Sequence, residues 1–366
     1  VVGESEVSPE LAVVFLTGHH REAVAKISAR LQEALRPRVM VGCTAEGVIG
    51  ADDEIEREPG ISLLVGWLPK VRFTPFYLSP RQIPDLLSNP SDLATQIATT
   101  EDTRGYLLLG DPFTVPADEL ITALNHLPIR APAFGGMASA ATRPGWNAFL
   151  LNDALYVDGV VGVTITGDIA LEAVVSQGCR PIGRPLLVTK AEHNLLATLG
   201  GRPALEVVEE VIGALSEEER ELLSNGLFLG IVIDEYKSEF ERGDFLIRNV
   251  LGADRNSGII AIGDFVRAGQ TVQFHVRDAD TADEDMRQLL QRSRAAGPPE
   301  GGLIFSCNGR GTRLFPAPCH DVQTVLDLLP GTPLAGFFAA GEIGPVGGKT
   351  FLHGHTASVV LFRAMA

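Results

Sequence analysis

The second half of this chain runs through the same order of parts as the first, and that repetition limits the folds open to it. "GISLLVGWLPKVRFTPFYLSPRQIPDLL" lines up with "GIIAIGDFVRAGQTVQFHVRDADTADEDMRQLL", with Gly60 on Gly258, Gly66 on Gly263, Val71 on Val272 and Phe73 on Phe274. "RGYLLLGDPF" then matches "GGLIFSCNGR", and "PADELITALNHLPIRAPAFGG" matches "HDVQTVLDLLPGTPLAGFF", with Gly135 on Gly336. Finally "GVVGVTI" matches "TASVVLF". The order strand–strand–helix–strand–helix–strand–strand in both halves reads as an internal duplication of about 120 residues per copy. This is a divergent pair rather than a solenoid, which stacks three or more shorter units.

Each half carries a strand–helix–strand crossover of the length that parallel pairing needs, plus hairpin-linked antiparallel strands. The expected fold is mixed α/β: two duplicated halves, each a mixed sheet with helices on its outer faces, in a layered sandwich. The connecting stretch holds two short strands around Glu192–His193–Asn194 and an amphipathic helix from Pro203, followed by the charged "SEEEREL". A boundary near Ser216 divides the chain into domains 1–215 and 216–366. No low-complexity linker separates them, so a ligand is expected in a crevice between the halves.

Composition narrows the partners. Apolar residues make up 45% of the chain, so a packed core is expected. A net charge of −16 repels nucleic-acid backbones and anionic headgroups. No apolar run reaches bilayer length, so no membrane insertion is expected. "VVGESEVSPE" has neither the basic region nor the apolar core of a signal peptide. Cys43, Cys179, Cys307 and Cys319 form no paired motif and read as free thiols of a cytoplasmic protein. No cofactor is indicated.

"GEIGPVGGKT", Gly341–Thr350, resembles a phosphate loop but fails as one. The spacing would put its first glycine at residue 343, which is Ile343, and "TFLHGHTASVVLF" reads as a strand where a helix is required. Gly347–Gly348 reads as a hairpin turn with Lys349 exposed. Glu342 is left at the end of a small-residue strand. His353 and His355, two apart on a strand, share a face. "LIFSCNGRG" runs from a strand into Cys307, Asn308, Arg310 and Gly311, at the edge where α/β sheets bind ligands. "SQGCRPIG" reads as a fixed loop presenting Cys179 and Arg180.

These groups admit three chemistries. In a small-ligand site, Arg310 or Arg180 clamps a carboxylate, Glu342 takes an amino group, and Asn308 and Asn249 orient the ligand. The bland counterpart is an Arg310–Glu342 ion pair. In a cysteine-dependent hydrolase or transferase, Cys307 is the nucleophile and His353 or His355 the base, with Cys307 activated at the start of a helix. A metal site would draw on His353, His355 and Glu342, with Cys307 as a candidate further ligand, though the sequence names no definite fourth.

"SQGCRPIG", "DFLIRNVLG", "LIFSCNGRGTRLF" and "PLAGFFAAGEIGPVGGKTFLHGHTASVVLF" resemble the FIST family, of F-box and intracellular signal transduction proteins. "VGCTAEGVIG" and "GGMASA" resemble its N-terminal region, and the chain from about Gly226 its C-terminal region. The resemblance implies a sensory module for small ligands such as amino acids. With no output domain in this sequence, it implies a signalling partner acting in trans.

Overall fold

The structure, a computed structural model, describes residues 7–241 and 243–365. Val1–Glu6, part of the segment read above as no signal peptide, lie outside them. The chain is mixed α/β, with four sheets among the described residues and helices beside them, and divides into two compact units. One comprises Val1–Val175 and Arg287–Ala366, the other Ser176–Met286. The boundary at Ser216 falls inside the second unit, where Ser216 caps a short helix.

The first unit opens with β1 (Leu11–Thr17), α1 (Val24–Leu35), β2 (Val39–Ala45), the hairpin β3 (Gly47–Gly50) and β4 (Asp53–Glu56), and β5 (Ile61–Gly66). β2 lies parallel to β1 across the α1 crossover, and β5 antiparallel to it. β6 (Val71–Leu78), α2 (Ile83–Ser88) and α3 (Pro90–Gln96) follow. The pattern then recurs as β7 (Thr103–Gly110), α4 (Ala117–Asn125), β8 (Ala133–Met137), the hairpin β9 (Phe149–Leu151) and β10 (Ala154–Tyr156), and β11 (Val160–Gly167). β12 (Ile169–Gln177) leads on to the second unit.

That unit contains β13 (Cys179–Glu192), β14 (Leu195–Leu199), β15 (Arg202–Pro203), α5 (Ala204–Gly213), α6 (Glu217–Leu222), β16 (Leu227–Val232), β17 (Phe245–Asp254), β18 (Ile259–Ile262) and β19 (Thr271–Arg277). Its strands run β13-β19-β16-β17-β18-β14, and β14 pairs back onto β13, closing a ring around Val188, Leu196, Leu229, Ile260 and Phe274. Closure leaves these six strands without a free edge. "SQGCRPIG" is therefore strand rather than loop. Cys179–Ile182 pair with β19, and a register shift before Leu186 accommodates Gly183 at φ 62°.

After α7 (Ala279–Arg294) the pattern appears again as β20 (Gly301–Cys307), α8 (His320–Leu328), β21 (Leu334–Ala339), the hairpin β22 (Glu342–Val346) and β23 (Lys349–His353), and β24 (Thr356–Ala364). The matched segments thus share an arrangement, and β1–β5 form a third copy of it. The match of β5–β6 with β18–β19 does not extend to pairing. β5 and β6 join β1 and β11, whereas β18 and β19 belong to the closed ring.

Within the first unit no repeat keeps its own hairpin. β9 pairs with β2, β22 with β8, and β3 with β21, all antiparallel, so the exchange is cyclic. The strand after each of the first two repeats also moves on: β6 pairs with β11, and β12 lies beside β24. One glycine recurs at the tightest point of each parallel pair. A Cβ on Gly42, Gly135 or Gly336 would stand 1.9, 1.8 or 2.0 Å from the carbonyl oxygen of Val14, Leu108 or Ile304, respectively. The inner core draws on all three copies, including Phe15, Phe134, Phe305 and Phe337. It includes Ala45, Ala138 and Ala339, three residues past the glycine in each repeat.

Candidate functional site

Counting from the glycine register, Thr17, Asp111 and Cys307 occupy one position at the C-terminal ends of β1, β7 and β20, and all three are buried. Beyond Cys307 comes a turn closed by the Arg310 N–H on the Cys307 carbonyl at 2.7 Å, then a single 3-10 turn over Gly311–Arg313. No α-helix starts at Cys307, so the helix-terminus activation expected for its thiol is missing. α8 begins thirteen residues later, at His320.

Arg310 is fully buried and forms a two-pronged pair with Asp321 of α8, with Nε and Nη2 each 2.8 Å from a carboxylate oxygen. It does not pair with Glu342. Ser306 Oγ donates to the same carboxylate at 2.5 Å, and His320 Nδ1 lies 2.9 Å from it, its ring stacked on Phe315. Burial pushes the Asp321 carboxyl up, but the Arg310 guanidinium against it wins and holds it below the usual carboxylate range. Glu54, from the exchanged hairpin, accepts the Val322 N–H at 2.9 Å. Burial first, then the Asp321 charge, raise its pKa to about 8. Nη1 of Arg310 and Oε2 of Glu54 are buried with no hydrogen-bond partner among the described residues.

The rest of the strand end is similarly engaged. Asn308 N–H donates to Ala339 O at 2.8 Å, and Thr312 N–H donates to Glu56 at 2.9 Å. Gly311 (φ 56°) leaves room for the Glu56 carboxylate, which a Cβ there would meet at 2.5 Å. Arg313 binds Glu46 with two nitrogens and also reaches Asn308 O. The crevice among Glu46, Arg57, Asn308 and Arg313 measures about 10 Å³, the space of one water.

Glu342 is fully buried at the start of β22, opposite Gly136 and His353. Its Oε2 accepts the Thr356 N–H at 3.1 Å, one residue beyond the Ser306–Ala357 pair and so at the Cys307 end of the sheet. The equivalent hairpin residues in the other repeats are Val48 and Phe149, both in the inner core. His353 bonds Gly344 O at 3.0 Å. His355 sits in the turn between β23 and β24 at φ 62°, so the strand read across both histidines is broken and they do not share its face. Among the described residues no group of three or more His, Cys, Asp and Glu side chains is placed to hold a metal ion.

Three of the sequence-derived residues lie in the second unit. Cys179 is buried with Phe228 and Phe245, Arg180 pairs with Asp278 at 3.4 Å, and Asn249 is exposed on β17 opposite Phe228.

A larger opening lies elsewhere in the first unit. The β22–β23 hairpin turns at Gly347 (φ 58°) and Gly348 (φ 79°), the type I′ geometry expected of Gly-Gly. Docking on β8 brings it against the end of α4. Asn125 and Thr350 lock the contact reciprocally, with Nδ2 donating to Thr350 O at 2.7 Å and Oδ1 accepting Thr350 N–H at 2.9 Å. Thr350 Oγ1 accepts the Ala133 N–H at 3.0 Å. Asn125, Arg130, Pro132, Pro345, Gly348 and Lys349 surround a pocket of about 210 Å³ between the two sequence halves. Arg130 and Lys349 are exposed, and neither forms an ion pair among the described residues. Sequence reasoning saw Lys349 as an exposed turn residue and missed Arg130. A signal was present, since Arg130 stands where the third repeat has Gly331.

The pattern of the FIST N domain matches residues 10–202, and that of the FIST C domain residues 204–345. An uncharacterized protein of Mycobacterium tuberculosis is 41% identical over 359 residues, covering 97% of this chain and 91% of its own length. An uncharacterized protein of Mycobacterium bovis matches with the same identity and coverage.

Proposed function

Because the chain belongs to the FIST family, whose domains are associated with signal-transduction sensing, we propose that it is a sensory protein that binds a small carboxylate-bearing ligand in the pocket between its sequence halves. The observation that supports this reading is the pairing of Arg130 with Lys349 around about 210 Å³ of open space, with neither cation engaged by a carboxylate among the described residues. A guanidinium fork suits a carboxylate, and an ammonium adds a point charge. The strand-end set is the weaker place for a ligand. Arg310 has Asp321, Arg313 has Glu46, and the crevice beside them takes no more than a water.

The ligand would bridge the α4–β8 loop of the second repeat and the β22–β23 hairpin of the third, so its binding would stiffen an exchanged hairpin. Output would pass to a separate signalling protein, in the cytoplasm. The test is a thermal-shift screen of the full chain against amino acids and small organic acids. A hit should raise Tm, and Lys349→Gln should abolish the rise without lowering the ligand-free Tm. A hit unaffected by Lys349→Gln and Arg130→Gln puts the ligand elsewhere.

A further inference from the structure

We infer that this pocket selects a compact dianion, a small dicarboxylate or a phosphomonoester, over a zwitterionic amino acid; the inference rests on the pocket being the ligand site. Of the nine residues lining it, Arg130 and Lys349 carry positive charge and none is acidic. In a chain of net charge −16, that is a local reversal of sign. A zwitterion needs an acceptor for its ammonium group, yet no carboxylate lines the pocket, and its two side-chain oxygens, Asn125 Oδ1 and Thr350 Oγ1, each already accept a backbone N–H. Thr350 O takes Asn125 Nδ2. At the end of α4, beside the pocket, the carbonyls of Ala123 and Leu124 accept the N–H groups of His126 and Leu127. Their dipole amounts to about half a charge, against two full cations.

The two cations differ in kind, and the difference suits two anionic groups. Arg130 offers a planar fork for one carboxylate or phosphoryl face. Lys349, beside the Gly347–Gly348 turn, offers a compact charge for the second. The volume sets the size, because pockets for drug-sized ligands start near 300 Å³ and this one holds about 210 Å³. A ligand of a few carbons fits. Both cations are exposed, so affinity should fall as salt rises.

The experiment is calorimetric titration of the full chain with succinate, inorganic phosphate and L-alanine, repeated on Arg130→Gln, Lys349→Gln and the charge-keeping Lys349→Arg. Succinate or phosphate should bind at least about tenfold more tightly than L-alanine. Each neutral variant should weaken that binding by about tenfold or more, and Lys349→Arg should largely retain it. Which of the two anions binds decides between carboxylate and phosphoryl recognition. Binding of L-alanine as tight as that of succinate and phosphate, lost in Lys349→Gln, overturns the dianion preference and leaves the pocket as the ligand site. No binding of any of the three at millimolar concentration overturns both.

Discussion

Arg310 and Asp321 meet as a two-pronged ion pair with neither side chain exposed to solvent, joining the end of β20 to the first turn of α8. Removing one partner strands a buried charge. Asp321→Asn should cost about 3–5 kcal/mol in chemical denaturation. Replacing both with apolar residues, as in Arg310→Met with Asp321→Leu, should recover most of that loss. A single-variant cost below about 1 kcal/mol would show that the pair does not brace the strand end.

The glycine shared by the three repeats makes a steric prediction. Gly336→Ala drives a Cβ to 2.0 Å from the Ile304 carbonyl oxygen in a fully paired sheet, and backbone must move to relieve it. The variant should lose at least about 3 kcal/mol or fail to fold, as should Gly42→Ala and Gly135→Ala. Denaturant midpoints at unchanged m-value are the readout.

Glu54 gives stability a pH dependence with a definite sign. Its folded pKa of about 8 lies above its ordinary value near 4.5, so folding favours the protonated form. Its contribution is fully present below about pH 4.5 and is lost as pH rises through 8. Asp321 works the other way and in another window: its depressed pKa adds stability above its ordinary value of 3.8, lost as pH falls further. Glu54→Gln should therefore match the parent near pH 5 and exceed it by on the order of 2 kcal/mol at pH 8. A parent–variant difference that does not change between those values would rule out Glu54 as the source.

The type I′ turn beside the pocket makes a stability prediction of its own. Gly348→Ala places a side chain at φ 79° and should cost about 1 kcal/mol. Gly347→Asn, at φ 58°, should be nearly neutral because Asn tolerates the left-handed region. Equal costs at both positions would mean that the turn is not held in this conformation.

The sequence made the individual elements legible because strands and helices announce themselves over short windows. β7–α4–β8 and β20–α8–β21 could be matched for that reason. The first repeat escaped notice because its hairpin, "GVIGADDEIE", is short and acidic and pairs with β21, far along the chain. Pairing partners are a non-local property that periodicity does not carry. The same limit shaped the site. Cys307, Asn308 and Gly311 were readable as a strand end, but Asp321, the partner of Arg310, looked like any acidic residue in the first turn of a helix. Arg130 was missed because it becomes a pocket residue only where β22–β23 docks beside it, a contact made far along the chain.

Cyclic exchange of hairpins sets a timetable for biosynthesis. β3 and β4 leave the ribosome well before β21, which lies two repeats further along the chain. β2 and β8 likewise wait, β8 for the hairpin that follows β21. The nascent first repeat thus presents unpaired strand edges until the third repeat is made, a condition that favours pairing with the wrong chain. The acidic run Asp52–Asp53–Glu54 and Glu56 on the waiting hairpin is the kind of charge that keeps such an edge soluble. The carboxylates that latch onto α8 and Thr312 in the finished protein would first serve to keep the hairpin from other partners.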